Sequence, residues 1–281
     1  MKWNASLRPN ALTGCGADAT PRRVRTPDEL DARLRSLARE FGEEITLDAL
    51  AGEFRMYQRR RGHRHSVDDL LTAWYAAMQV SAPAAILDLG TGIGSVGLAL
   101  AWKFPSAKVT AVEVQDGSFR LLQANVWAND VPARIVHGDL RELGADSFDL
   151  VTGSPPYFDV KNGMVSADPQ RAAARFELHG DVRDYCHAAR RSLGANGVFV
   201  FCFPSVQKDR ALRACADATL AVRSMRDVVP REGLAPLFSL FACARQGHGT
   251  TVEAPFVVRD RAGTHTEEMT RVRASFGHGS G

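Results

Sequence analysis

This 281-residue chain lacks long uncharged hydrophobic runs, paired cysteines and an apolar N-terminus. Because no stretch of about 18 apolar residues is free of charge, the sequence predicts no membrane-spanning helix. Residues 1–10 have no apolar core, which predicts the absence of a secretory signal. The cysteines follow no metal-ligand or redox spacing, so no metal site is predicted and free thiols in a reducing compartment are expected. They are Cys15, Cys186, Cys202, Cys215 and Cys243.

Lysine is also scarce, since only five of the 35 basic residues are lysine and the rest are arginine. The net charge of +3 neither demands nor forbids a nucleic acid partner. Residues 55–65, however, combine five arginines and two histidines with no acidic residue. Arginine binds phosphate bidentately and stacks on bases, which favours RNA contact. The alternative interpretation of this segment is an exposed surface that only water contacts. The segment therefore predicts RNA contacts by Arg59, Arg60, Arg61 and Arg64.

The first 25 residues contain a single acidic residue and predict a loose tail. Their basic residues leave a mitochondrial transit peptide open as the alternative to a cytoplasmic location. A helix then begins at the N-cap Thr26, with Pro27 and Glu29 following, and ends at Gly42. We expect a tail and helix over 1–45 and one larger domain over 46–276, which includes a basic segment at 55–82.

Strand and helix patterns alternate from residue 84 onward. The predicted strands lie at 84–89, 108–114, 133–137, 148–152 and 197–203. Repeated β-α-β units predict a parallel sheet with helices on both faces, which is a Rossmann-like α/β fold. Extended runs then follow one another at 221–229, 237–244 and 252–259 without a long helix between the last of them. They predict an antiparallel pair at the C-terminal edge of the sheet.

The first of these strands leads directly into a glycine-rich turn. Gly90, Gly92 and Gly94 allow the backbone to turn tightly and to approach a ligand closely. By itself this pattern also fits a dinucleotide-binding protein. Asp88, just before the glycines, would repel an anionic pyrophosphate but tolerates a cationic ligand.

Acidic side chains follow three consecutive strands of the predicted sheet, at Asp88, Glu113 and Asp139. Each alone would be interpreted as a cap or turn former. Together they match S-adenosylmethionine. Asp88 would lie near its amino group and sulfonium, and Glu113 would accept hydrogen bonds from the ribose hydroxyls. Asp139 would accept a hydrogen bond from the adenine amino group. We therefore predict this cofactor, bound by these three acids and the three glycines.

The fourth predicted strand ends in a Ser-Pro-Pro-Tyr motif at residues 154–157. Proline donates no hydrogen bond, so the Pro155 carbonyl and the Ser154 hydroxyl are available to accept hydrogen bonds from an amino group. Pro156 stiffens the turn, and the flat ring of Tyr157 suits stacking on a planar substrate. These four residues predict methyl transfer to an NH₂ group conjugated to a ring, with no strong general base required.

These motifs resemble those of class I methyltransferases that act on exocyclic or amide nitrogens. More narrowly, the chain resembles the bacterial tRNA adenine-N6-methyltransferases that modify the adenosine beside the anticodon of a valine tRNA. The positions that carry this resemblance are Thr46, Asp48, Leu50, Gly52, Gln58, Gly62, Ser66, Asp68, Leu70, Leu71, Phe158, 255–258 and 266–269. The resemblance implies a seven-stranded, mostly parallel sheet, S-adenosylmethionine and a tRNA partner, with Phe158 beside the substrate.

The chain departs from that family at the acceptor motif, where Ser154 replaces the usual Asn, and at His63 and His65. Three alternatives remain: N5-methylation of a protein glutamine, methylation of DNA adenine, and a non-catalytic cofactor-binding RNA scaffold. The basic segment at 55–65 favours a nucleic acid over a protein substrate, and the intact motifs favour an enzyme over a scaffold.

Overall fold

The computed structural model describes residues 22–159, 166–247 and 249–279, so Cys15 and most of the predicted tail lie outside it. Its helices are α1 (Pro27–Phe41), α2 (Val67–Gln79), α3 (Ser95–Lys103), α4 (Asp116–Ala128), α5 (Pro169–Arg175), α6 (Val182–Ser192), α7 (Lys208–Asp217) and α8 (Glu267–Ser275). Its strands are β1 (Ile45–Ala51), β2 (Phe54–Arg59), β3 (Ala85–Leu89), β4 (Lys108–Glu113), β5 (Arg134–His137), β6 (Phe148–Gly153), β7 (Leu193–Pro204), β8 (Ala221–Val229), β9 (Phe238–Ala244), β10 (Thr251–Val252) and β11 (Phe256–Val257).

The main sheet has the strand order β10-β8-β9-β7-β6-β3-β4-β5, and β11 also pairs with β8. Strands β3 to β7 run parallel, whereas β9 is antiparallel to both β7 and β8. The predicted α/β sheet with an antiparallel C-terminal edge is therefore confirmed. The extended run expected at 252–259 forms only two two-residue strands, which add to β8 in parallel.

Two hydrophobic cores cover the two faces of this sheet. Side chains alternate between them, so Val198 and Val200 of β7 face one core while Phe199 and Phe201 face the other. The first core contains α2 and α3, and the second contains α6 and α7. Burial on both faces explains why the strands are apolar throughout. The four cysteines of the described chain are free thiols, as the sequence predicts, and all four are buried: Cys186, Cys202, Cys215 and Cys243.

The β1–β2 hairpin, which the sequence patterns did not reveal, packs on α4. The Asn125 side chain accepts a hydrogen bond from the Tyr57 amide at 2.6 Å and donates to the Tyr57 carbonyl. The Tyr57 hydroxyl in turn donates to the carbonyl of Leu30 in α1. Leu37 of α1 is fully buried in the first core. The expected division at residue 45 stays a prediction, but α1 shares its core with the larger domain.

The end of the predicted loose tail is held against the fold, which corrects that expectation for residues 22–25. Arg22 donates to the Ala101 carbonyl at 2.9 Å, and Arg25 donates to the Trp127 carbonyl at 3.0 Å. The Arg23 amide donates to Asp130. Within the part of the chain that the structure describes, no helix is long and apolar enough to cross a membrane.

Candidate active site

A cleft opens at the carboxyl ends of β3, β4 and β6, where the turn after β3 forms its floor. Gly90 and Gly92 adopt positive φ angles of 56° and 60°, a conformation that L-residues with a Cβ rarely adopt. A Cβ on Gly90 would lie 1.9 Å from the Tyr185 hydroxyl oxygen, whereas one on Gly92 would meet only open space. Gly94, with φ of 95°, completes the turn. The turn therefore offers bare backbone to a ligand.

Asp88 lies beneath this turn and is only 2% exposed. Its carboxylate accepts hydrogen bonds from Thr91 Oγ1 at 2.5 Å, Thr152 Oγ1 at 2.7 Å and the Gly97 amide at 3.0 Å. Burial raises the pKa of Asp88, although these three hydrogen bonds oppose the shift. Asp88 therefore ties the glycine turn to α3 and β6 as well as lining the cleft.

Glu113 and Asp139 lie in different environments. The Glu113 carboxylate accepts hydrogen bonds from the Gly92 amide at 2.8 Å and the Gln115 amide at 2.7 Å, and burial raises its pKa. Asp139 instead pairs with Arg141, and that hydrogen bond lowers the pKa of Asp139. Glu113 lines the cleft. Asp139 does not line it, although its neighbours in sequence, Gly138 and Leu140, do.

The charge of the cleft favours a cation. Asp69, Asp88 and Glu113 line it, and the described lining contains no lysine or arginine. Burial, followed by the nearby Asp68, raises the pKa of Asp69 to about 8. Carboxylates that are buried without a cationic partner have raised pKa values, and a positive ligand would stabilise their charged forms. In the described part of the chain, no three His, Cys, Asp or Glu side chains group as metal ligands.

The Ser-Pro-Pro-Tyr motif continues from β6 along the edge of the cleft. Ser154 and Pro156 line the cleft. The Cys202 thiol donates a hydrogen bond to Ser154 Oγ at 3.6 Å. Pro155 is buried. The Tyr157 ring packs edge-on against Phe203, and its hydroxyl donates to Asp68 at 3.3 Å. The structure thus brings Ser154 to the cofactor turn, while Tyr157 is anchored beside it and does not line the cleft.

Phe158 is 39% exposed and packs against Phe176, and the guanidinium of Arg175 lies 5.6 Å from its ring centroid. The amides of Tyr157 and Phe158 both donate to the Arg175 carbonyl. The acceptor motif is therefore fixed to the C-terminus of α5, an element that the sequence patterns missed.

The four predicted RNA-contacting arginines divide into two pairs. Arg59 has a side chain only 16% exposed and forms ion pairs with Glu43 and Asp168, and Arg64 pairs with Asp48 at 2.9 Å. Arg60 is 62% exposed with a 3.5 Å contact to Glu44, and Arg61 is also exposed. The acid-free stretch at 55–65 gave no sign of these partners, because they come from positions 43, 44, 48 and 168.

Several cleft residues were missed or left without a role by the sequence analysis. The Tyr185 ring, on α6, contacts the positions of Gly90 and Gly153. The sequence patterns give Asp69 no role at this site, and they mark His63 and His65 only as departures from a family pattern. Burial lowers the pKa values of both histidines. A buried tyrosine on an amphipathic helix carries no sequence signal that separates it from ordinary core.

Solved structures share this fold. A predicted O-methyltransferase from Agrobacterium tumefaciens superposes with a TM-score of 0.59 at 17% identity, covering 76% of this chain and 98% of that one. A 16S rRNA N2-guanine methyltransferase from T. thermophilus, solved with AdoMet and guanosine, gives a TM-score of 0.51 at 19% identity, covering 71% of this chain and 50% of that one. These similarities establish the class I methyltransferase fold.

Sequence comparisons give the family. Residues 65–176 match the methyltransferase small domain. A tRNA1(Val) (adenine(37)-N6)-methyltransferase from Shewanella amazonensis is 30% identical over 213 residues, covering 74% of this chain and 88% of that protein. Its namesake from Aeromonas hydrophila is 28% identical over 210 residues, covering 74% and 86%. The chain therefore belongs to the family of bacterial tRNA1(Val) adenine-N6-methyltransferases and is an S-adenosylmethionine-dependent methyltransferase.

Proposed function

We propose that this enzyme methylates the exocyclic N6 of an adenosine in tRNA. The observation that carries the proposal is the position of Ser154, which lines the same cleft as the glycine turn and the buried acids Asp88 and Glu113. An acceptor nitrogen held there would lie beside the cofactor's reactive group. The names of the relatives support tRNA as the substrate class and, with it, a cytoplasmic location.

The residues of the cleft fit the cofactor. The bare backbone at Gly90, Gly92 and Gly94 suits close approach of the ligand, and Asp88 and Glu113 suit its positive charge and its ribose. Asp139 would accept a hydrogen bond from the adenine amino group by exchanging part of its pairing with Arg141. Once bound, S-adenosylmethionine supplies an electrophilic methyl group on a sulfonium.

The acceptor motif would prepare the nitrogen. Ser154 Oγ and the Pro155 carbonyl would each accept a hydrogen bond from one N–H of the amino group, which disfavours its planar geometry and directs its lone pair at the methyl group. The cofactor, held by the glycine turn with Asp88 and Glu113, would supply the methyl group and keep the bonding electron pair on its sulfur. The nitrogen would then lose its extra proton to solvent. Pro156 keeps the turn rigid, and Tyr157 supports the base with its ring.

For the RNA partner, we propose that Arg60, Arg61 and Phe158 form the first contacts, because their side chains are exposed. Arg59 and Arg64 would contact phosphate only by exchanging their present partners, Asp168 and Asp48. Their present role is to hold the basic segment beside the cleft, where His63 and His65 line the wall.

The test is transfer of labelled methyl groups to total tRNA that lacks the modification, with a glutamine-containing peptide and duplex DNA as parallel substrates. We expect label in tRNA alone. Label in the peptide or in the DNA would replace the proposed acceptor. Cofactor binding without transfer to any of the three would favour the non-catalytic scaffold.

A further inference from the structure

A second cavity, of about 430 Å³, adjoins the cofactor cleft. It lies where β8 ends and β9 begins, between the first turn of α2 and the helix α8. His65, Asp69 and Ser95 line both the cavity and the cleft, so the two spaces meet at these side chains. Its volume is within the range of ligand pockets, about 300–1,000 Å³. The functions assigned above to the cleft leave this cavity unused.

The walls of the second cavity are apolar and its rim is basic. Leu70, Phe238, Val258 and Met269 are among the apolar side chains that line it. Arg259 and Arg273 supply its positive groups, His265 and His278 add two imidazoles, and Asp69 is the one acid of its described lining. This combination matches a ligand with a flat apolar part and an anionic part.

The rim arginines are not neutralised by the fold. Within the described ranges, no carboxylate pairs with the Arg273 guanidinium, and the Arg259 guanidinium donates to the Gly263 carbonyl at 2.7 Å. Burial, followed by the charges of Arg259 and Arg273, lowers the pKa of His265. By contrast, Arg271, on the same helix as Arg273, pairs with Glu267 at 2.7 Å. The positive charge at the rim is therefore available to an external anion.

We propose that the second cavity receives a nucleotide that flanks the methylated adenosine, with its base against the apolar wall and its phosphate at Arg259 and Arg273. The proposal rests on the proposed function. A base reaches an enclosed active site only by leaving its stack, and this separates it from its neighbours. The second cavity, which meets the cleft at His65, Asp69 and Ser95, can hold one flanking nucleotide. The contacts of that nucleotide with the cavity would offset part of the free energy lost on unstacking.

Photocrosslinking tests the position directly. In an unmodified tRNA substrate, the nucleotides flanking the methylated adenosine are replaced one at a time by photoreactive analogues, and crosslinked peptides of the full-length enzyme are identified by mass spectrometry. We expect one flanking position to crosslink to the peptides containing Phe238 or Met269. Crosslinks from all flanking positions confined to other parts of the protein would overturn the proposal.

A matched pair of variants tests the phosphate contact. Arg273→Gln should weaken tRNA binding at least about tenfold, because it removes a charge-assisted hydrogen bond to phosphate, and should lower the salt dependence of binding by about one phosphate contact. Arg271→Gln should leave both unchanged. In both variants the affinity for S-adenosylhomocysteine should equal that of the wild type. Equal tRNA affinities for the two variants would contradict the proposal.

Two further results separate this proposal from its alternatives. Tight binding of a free mononucleotide, abolished by Arg273→Gln while tRNA affinity stays unchanged, would assign the cavity to a free nucleotide and overturn the RNA contact. If the wild type methylates no RNA, the proposed function fails and this inference fails with it. If the wild type methylates tRNA but the crosslinks and Arg273→Gln give the contrary results, only the inference fails.

Discussion

At the residue scale, Tyr157 is fixed on its side chain and on both sides of its backbone. Its hydroxyl donates to Asp68, its amide donates to the Arg175 carbonyl, and its carbonyl accepts from Gln207 at 2.7 Å. These contacts come from three distant parts of the chain. The motif alone therefore predicts an aromatic ring at this position, but not the partners that hold it in place, and its stacking role stays a prediction.

Tyr157→Ala should lower kcat/KM for tRNA by about one to two decades, because base–aromatic stacking is worth about 1–3 kcal/mol. Tyr157→Phe keeps the ring and loses only the contacts of the hydroxyl with Asp68 at 3.3 Å and with the Cys202 thiol at 3.4 Å, so it should retain most of the activity. Single-turnover methyl transfer measures both, with S-adenosylhomocysteine affinity as the control for an intact cleft. Full activity of Tyr157→Ala would exclude a stacking role.

Asp69 should make stability depend on pH. Burial and Asp68 raise its pKa from 3.8 to about 8 in the folded chain. Between these values the unfolded chain releases the proton while the folded chain keeps it, so the free energy of unfolding falls as pH rises. Asp69→Asn should therefore be more stable relative to the wild type at pH 8 than at pH 5. Denaturant titrations at both pH values test this, and an equal difference at the two would show that Asp69 has an ordinary pKa.

At the element scale, local patterns predicted the strands of the β-α-β units well, because short apolar runs bounded by turn residues are a strong signal. They missed the β1–β2 hairpin, α5 and α8. Polar and apolar side chains alternate only in part along β2, so its strand pattern is weak. Its Tyr57 and Arg55 amides donate hydrogen bonds to the side chains of Asn125 and Asn129, which lie in and just after α4. Because those partners lie about 70 positions away in sequence, no local pattern reveals them.

Asn125 should couple the hairpin to the cofactor turn. Its Nδ2 donates to the Ile93 carbonyl at 2.9 Å as well as to Tyr57, whereas Asn129 contacts Arg55 and the Asn125 carbonyl but not the turn. Asn125→Ala should cost about 2 kcal/mol of stability and weaken S-adenosylhomocysteine binding. Asn129→Ala should cost stability alone. Calorimetry and denaturant unfolding distinguish them, and equal cofactor affinities in both variants would exclude the coupling.

The basic segment should show the same division between binding and structure. Arg60→Ala with Arg61→Ala should weaken tRNA binding and lower its salt slope by about one to two units, because two exposed phosphate contacts are removed. Arg59→Ala should instead lower the melting temperature, since it leaves Glu43 and Asp168 without their partner. Thermal denaturation and filter binding at several salt concentrations measure both effects. Unchanged tRNA affinity in the double variant would assign Arg60 and Arg61 to a solvated face.

At the scale of the whole molecule, the fold class and the edge of the sheet that holds the site follow from the strand pattern and the glycine turn. The full set of site residues does not follow from these patterns, because the cleft is also lined by Asp69 from α2, Tyr185 from α6 and two histidines from the segment before α2. The second cavity depends on α8 closing over the ends of β8 and β9. Such neighbourhoods arise only once all the elements are packed.

The central claim is that the acceptor is the exocyclic nitrogen of an adenosine in tRNA. It is tested most directly by nucleoside mass spectrometry of unmodified tRNA after incubation with the enzyme and S-adenosylmethionine. We expect N6-methyladenosine as the product, formed more slowly by Ser154→Ala at unchanged cofactor affinity and still formed by Ser154→Asn. Methyl groups found on any other nucleoside, or on no nucleoside while a glutamine peptide is methylated, would contradict it.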